Sequence, residues 1–157
     1  MKVPVRELDV LTDPSAEDRK AMADLWVESW SAVMPSLDFA ARRAWLMSRF
    51  ETSPNTILAK DGAGRILGFA LYDDTSGWLD QIAVDADCFG TGVAQRLLAS
   101  VKAACPQGVH LDVNVDNHRA VAFYRREGFF KTGEGINASS GLRTMSMSWP
   151  LAPGPTA

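Results

Sequence analysis

The chain has 157 residues, 46% hydrophobic and 22% charged, which is the balance of an ordinary globular domain long enough to bury its own core. No apolar run approaches the roughly 18 to 20 residues that a membrane span needs, and MKVPVRELDV lacks the apolar core of a secretory signal, so no membrane partner and a cytoplasmic location are expected. The net charge of −3 argues against a nucleic-acid partner, which usually demands a basic stripe, and suits a cationic amine substrate.

Along the chain, VPVRELDV (3–10) reads as a first strand. TDPSAEDRKAMADLWVESWSAVM then carries helix signals, with Ser15 as cap and Glu17 and Asp18 in the first turn. Met22, Leu25, Trp26, Ser29 and Val33 recur at helical spacing, and Pro35 closes the run. A second helix is expected over SLDFAARRAWLMSRFE, with Phe39, Arg43, Leu46, Met47 and Phe50 near one face, broken by Pro54. The period then changes. NTILAKD, a DGAGR turn and ILGFALYDD read as a hairpin, and GWLDQIAV as the next strand. A glycine turn leads into a helix from about Gly92 to Ala104 that buries Val93, Leu97, Leu98 and Val101, with Pro106 and Gly108 beyond it. VHLDVNV alternates, with Leu111, Val113 and Val115 facing one way. Asn117 caps a short helix ending near Glu127, with Gly128 just past its end. FFKTGEG and LRTMSMSWPL complete the chain as a hairpin. The sum is one mixed α/β domain over residues 1–151, with a disordered tail at 152–157. Its two later crossover helices should place parallel neighbours in the sheet.

The stretch DADCFGTGVAQRLL (85–98) carries the chemistry. A phosphate loop of the Walker type needs a lysine and a hydroxyl residue after the glycines, but Val93 and Ala94 follow Gly92. A dinucleotide fingerprint needs a third glycine after the first strand, where this chain has Gln95 past mid-sequence. What the turn does supply is a set of backbone amides from Gly90 to Ala94 at a helix N-terminus, suited to a pyrophosphate. The plainer alternative is that Gly90 and Gly92 merely permit a tight turn. Cys88, Cys105, His110 and His118 contain no close ligand pair, so no metal is expected. Cys88 as an acyl-accepting nucleophile lacks a histidine nearby in sequence.

The C-terminal half, over roughly residues 65–148, resembles the GNAT superfamily of acetyl-CoA-dependent N-acyltransferases. Its loop, Phe89-Gly90-Thr91-Gly92-Val93-Ala94, is similar to the family's Q/R-x-x-G-x-G/A element. Asn117, Ala120, Phe123, Tyr124, Gly128 and Phe129 match the downstream Asn-x-x-Ala-x-x-Phe-Tyr-x-x-x-Gly-Phe signature. The resemblance implies a mostly antiparallel sheet with a splayed parallel strand pair, flanked by about four helices. It also implies transfer of the acetyl group of acetyl-CoA to the primary amine of a small molecule or a peptide. Phe89 stands where the family has Gln or Arg, a change in side-chain support rather than in the backbone amides.

By the same resemblance, pantetheine would lie beside Ile82, Ala83 and Val84, with Asn117, Phe123 and Arg126 also toward the cofactor. Arg125, Arg96 and Lys131 are further cations for its 3′-phosphate. Tyr124 is the expected acid for the leaving thiolate, against the reading that it only packs with Phe123. Asp80 and Asp112, one on each splayed strand, are the candidate bases, and each is equally readable as a solvated carboxylate. Asp80 should share its strand face with Ile82 and Val84. Among Trp26, Trp30, Trp45 and Trp78, which read mainly as core, Trp30 is the candidate for the acceptor pocket. A non-catalytic acyl-CoA-binding module on the same fold is the alternative. Such proteins commonly form a homodimer, and no interface is legible here.

Overall fold

The computed structural model describes residues 8–138 and 140–150, so most of the expected first strand and the tail at 152–157 lie outside the described residues. The order is β1 (Asp9–Leu11), α1 (Ala16–Val33), α2 (Arg43–Thr52), β2 (Asn55–Lys60), β3 (Ile66–Tyr72), β4 (Leu79–Val84), α3 (Val93–Ala104), β5 (Val109–Asn114), α4 (His118–Arg126), β6 (Phe130–Ile136) and β7 (Arg143–Trp149). Among the described residues no helix is long and apolar enough to cross a membrane.

Local chemistry explains most boundaries. Ser15 Oγ accepts from the Asp18 N–H while the Asp18 carboxylate accepts from the Ser15 N–H, a reciprocal cap that starts α1. The expected second helix begins later than its sequence pattern. Ala40–Arg42 form a single 3-10 turn before α2, with Asp38 Oδ1 accepting from the Ala41 N–H. Asn117 Oδ1 accepts from the Ala120 N–H to cap α4, and Gly128 follows that helix at φ +94°, a conformation glycine adopts without strain.

Strands β1 to β4 form one antiparallel sheet in sequence order, and β5, β7 and β6 form a second. The crossover through α3 makes β4 and β5 parallel neighbours. The crossover through α4 does not do the same for β5 and β6. The last strand, β7, inserts between them and pairs antiparallel with both, because a returning hairpin strand bonds more readily than a second crossover strand. All seven residues of β3 are buried, since helices cover both its faces. On one side α1 and α2 pack Met22, Trp26, Leu46 and Phe50 against Phe69 and Leu71. On the other, α3 buries Val93, Leu97, Leu98 and Val101, each worth about 1.5–3 kcal/mol when fully buried.

Candidate active site

The site follows from where the two sheets fail to join. Among the described residues β4 and β5 meet at one isolated parallel bridge, Trp78 with His110, where the His110 N–H donates to the Gly77 carbonyl at 2.8 Å. Gly77 has φ +79°, and a Cβ there would fall 2.2 Å from the Gly108 carbonyl oxygen, so the joint admits no side chain. Beyond it the strands diverge, and a cavity of about 450 Å³ opens between them.

Register dictates which backbone groups face that gap. The Asp85 N–H donates to the Leu67 carbonyl, so in the antiparallel β3–β4 ladder Ala83 and Gln81 direct their polar groups to β3. Ile82 and Val84 therefore direct theirs to the opposite edge, which no strand covers. Both residues line the cavity. Ala83 lines it too, with its backbone turned to β3.

One end of the cavity is the glycine turn. Asp85 organises it, its carboxylate accepting from the Asp87 N–H at 2.9 Å and pairing with Arg65, whose guanidinium that carboxylate holds still more firmly protonated. The Phe89 and Thr91 amides are used locally, donating to the Ala86 and Cys88 carbonyls. The N–H groups of Gly90, Gly92, Val93 and Ala94 have no acceptor among the described residues. This is the set that a helix N-terminus leaves open to an anion. Phe89, Gly90, Gly92 and Ala94 line the cavity; Thr91 and Val93 do not, and Val93 is fully packed in the core.

Tyr124 lies further along, 7% exposed, its ring held edge-on by Phe123 and Phe129 at 5.4 Å each. Its hydroxyl has no hydrogen-bond partner among the described residues, and burial pushes its pKa well above that of an ordinary phenol. The residue lines the cavity, and its phenol keeps its proton there. Asn117, also buried, and Phe123 and Arg126 line the same cavity. Cys88 also lines the cavity, but burial and the nearby Asp85 push its thiol pKa up and no histidine joins it there. Among the described residues no group of three or more His, Cys, Asp and Glu side chains comes together as a metal site would require.

The other end carries two carboxylates. Asp80 and Asp112 both line it, with Trp30, Ser29 and Val33 of α1 opposite. Asp80 does not share a face with Ile82 and Val84. A bulge between Leu71 and Tyr72 places Asp80 and Gln81 together against the one-residue step in β3, which turns Asp80 toward the α1–α2 side. There Arg49 Nε and Nη2 both reach Asp80 Oδ2 at 2.8 Å, while Gln81 Oε1 accepts from Trp26 Nε1 at 3.1 Å. Asp112 is exposed and accepts from Ser146 Oγ at 2.7 Å. Trp30 stacks on Phe39 and is the one tryptophan lining the cavity; Trp26 is core, and Trp45 and Trp78 are exposed.

Sequence reasoning missed several members of this site. Arg49, Asn114, Arg119 and Asn137 come from separate parts of the chain, and no local pattern marks Arg49, Asn114 or Asn137. Arg119 had the clearest signal, being a cation two residues past a cap within the Asn117–Tyr124 stretch.

The cavity thus combines an anion-ready turn, a gap between parallel strands and a buried phenol. Residues 19–129 match the Acetyltransferase (GNAT) family, and the chain belongs to it. The chain is 31% identical over 109 residues to the L-methionine sulfoximine/L-methionine sulfone acetyltransferase of Pseudomonas paraeruginosa, covering 62% of this chain and 63% of that one. It is 39% identical over 80 residues to the mycothiol acetyltransferase of Actinosynnema mirum, covering 46% of this chain and 27% of the other. The chain thus spans about a quarter to somewhat under two thirds of these relatives. A GCN5-related N-acetyltransferase from Rhodopseudomonas palustris shares the fold, with a TM-score of 0.76 at 17% identity over 96% of this chain and 98% of that one.

Proposed function

We propose that the chain is an acetyl-CoA-dependent N-acetyltransferase acting on the primary amine of a small molecule. The observation that carries this is what one cavity gathers on its walls: the glycine turn with its free amides, the uncovered edge of β4, Tyr124, Asp80 and Asp112. Acetyl-CoA supplies an activated acyl group, and every other role falls to the chain.

The amides of Gly90, Gly92, Val93 and Ala94 hold the diphosphate, with Arg126 as a further cation. Ile82 and Val84 pair with the pantetheine arm as a missing strand would, and one of their N–H groups faces the thioester oxygen as charge develops there. Asn117, Phe123 and Ala83 shape the surrounding wall. The acceptor enters from the α1 side past Trp30, and its ammonium is drawn by Asp80 and Asp112. The ammonium first loses one proton to solvent; Asp80, oriented by Arg49 with Oδ1 left without a partner among the described residues, takes the second as the N–C bond forms. The new N–C bond forms as the C–S bond breaks, and Tyr124 gives its proton to the departing thiolate. The relative named for L-methionine sulfoximine supports a small-molecule acceptor over a peptide.

Calorimetry with acetyl-CoA, followed by a thiol-release assay over small amines and peptide amines, tests this. Tight binding with turnover of at least one small amine supports it. Absence of heat at millimolar acetyl-CoA removes it, turnover confined to peptides reassigns the acceptor, and binding without turnover leaves an acyl-CoA-binding module.

A further inference from the structure

The glycine turn opens on an apolar ring, and the cation that faces that ring comes from a different element. Arg119 lies in the first turn of α4, whose start is fixed by the Asn117 cap. Its Cζ sits 4.1 Å from the Phe89 ring centroid, close contact for a guanidinium over an aromatic face. Both residues line the cavity next to Gly90. Arg119 is exposed and pairs with no carboxylate among the described residues, so its charge is not spent within the fold. Arg126, the other cation lining the cavity, lies seven residues on along the same helix, about 10 Å along its axis.

This arrangement answers the departure at position 89. A side chain there could support an anion only by being polar, and Phe89 is not. The ring instead gives a planar seat to a guanidinium, which keeps its N–H edge free while stacked. Stacking removes part of the rotamer freedom of a long side chain before any ligand arrives, so less is lost on binding. The open amides of Gly90 and Gly92 lie beside the same ring in sequence and line the same wall.

We propose that Phe89 and Arg119 act as one unit, in which the ring holds the guanidinium over the glycine turn to bind the diphosphate of acetyl-CoA. This rests on reading the cavity as the acetyl-CoA cleft. Arg119 is the binding group and Phe89 its positioning residue.

The test uses calorimetric binding of acetyl-CoA and of acetyl-dephospho-CoA, which keeps the diphosphate and lacks the 3′-phosphate. Arg119→Met retains the apolar stem on the ring and removes the charge. It should weaken both ligands alike, by about tenfold or more, with an unchanged thermal midpoint; Arg119→Lys, which keeps the charge and loses the planar stack, should recover only part of the loss. Phe89→Ala should weaken binding in the wild-type background and change nothing further in Arg119→Met. Wild-type-like affinity of Arg119→Met overturns the proposal, as does a loss confined to acetyl-CoA, which would put the cation at the 3′-phosphate. Additive effects of the two substitutions overturn the pairing. Failure of the wild-type protein to bind acetyl-CoA removes the underlying reading instead, so the two failures are distinguishable.

Discussion

The joint between β4 and β5 is the point on which the cleft depends, and Gly77→Ala probes it directly. The new Cβ would lie 2.2 Å from the Gly108 carbonyl oxygen, and that contact is with backbone, which no rotamer change relieves. Residue 77 also sits at φ +79°, which costs a residue with a Cβ about 1–2 kcal/mol. Separating the two segments breaks the 2.8 Å bond from the His110 N–H to the Gly77 carbonyl, a net loss of about 0.5–1.5 kcal/mol. Together the cost is about 1.5–3.5 kcal/mol, or roughly 3–14 °C in thermal midpoint for a domain of this size. Gly62→Ala is the control, since nothing lies within 4 Å of its Cβ. Scanning calorimetry reads the midpoints, and amide exchange at His110 reads the joint itself. A Gly77→Ala midpoint within about 2 °C of wild type, with His110 still protected, would refute the reasoning.

Further outcomes test the site. Tyr124→Phe should lower kcat by about 10²-fold while acetyl-CoA affinity stays within about twofold, as a lost proton donor requires. The Tyr124 phenol has a folded pKa raised by burial above its unfolded value near 10. The stability it contributes is therefore fully present below about pH 10 and falls as pH climbs from there toward the folded value. Urea unfolding between pH 9 and 12 should accordingly show a steeper loss for wild type than for Tyr124→Phe. Asp85→Ala removes the acceptor for the Asp87 N–H and the partner of Arg65, costing about 1–3 kcal/mol. Its effect on turnover should appear as a raised KM for acetyl-CoA with kcat retained, measured with whichever amine the assay identifies.

Residue periodicity carried the elements because burial repeats with the backbone. The four residues expected on the inner side of α3 are the four it buries, and Ser15, Asn117 and Gly128 stand at helix ends as their chemistry requires. Two kinds of feature escaped. The Leu71/Tyr72 bulge adds one residue to β4 and turns Asp80 off the face that simple alternation assigns it, and nothing in GWLDQIAV marks the slip. The insertion of β7 between β5 and β6 is likewise a choice among pairings that have the same local pattern. Contacts across the fold, such as Arg119 on Phe89 or Arg49 on Asp80, join residues about thirty apart with no shared motif. The glycine turn and the Asn117–Tyr124 stretch were legible because each encodes a local backbone shape as well as a chemistry.

The gap persists because each wall is already satisfied on its other edge. β4 is paired with β3 at every residue but Asp80, and β5 with β7, so neither can shift to close on the other without breaking a ladder. The glycine joint holds them together at one end, and α1 closes against β4 through Trp26 and Gln81, with Trp30 one turn further on lining the cavity. Left dry, the Ile82 and Val84 amides would be costly unpaired groups. Open to the cavity, they stay solvated until an extended ligand with amides of its own takes the place of the missing strand. A strand pair prevented from closing is thus enough to produce a site that selects for an extended, amide-bearing arm, and the glycine turn and Tyr124 then fix which end of that arm carries the anion and which the reacting bond.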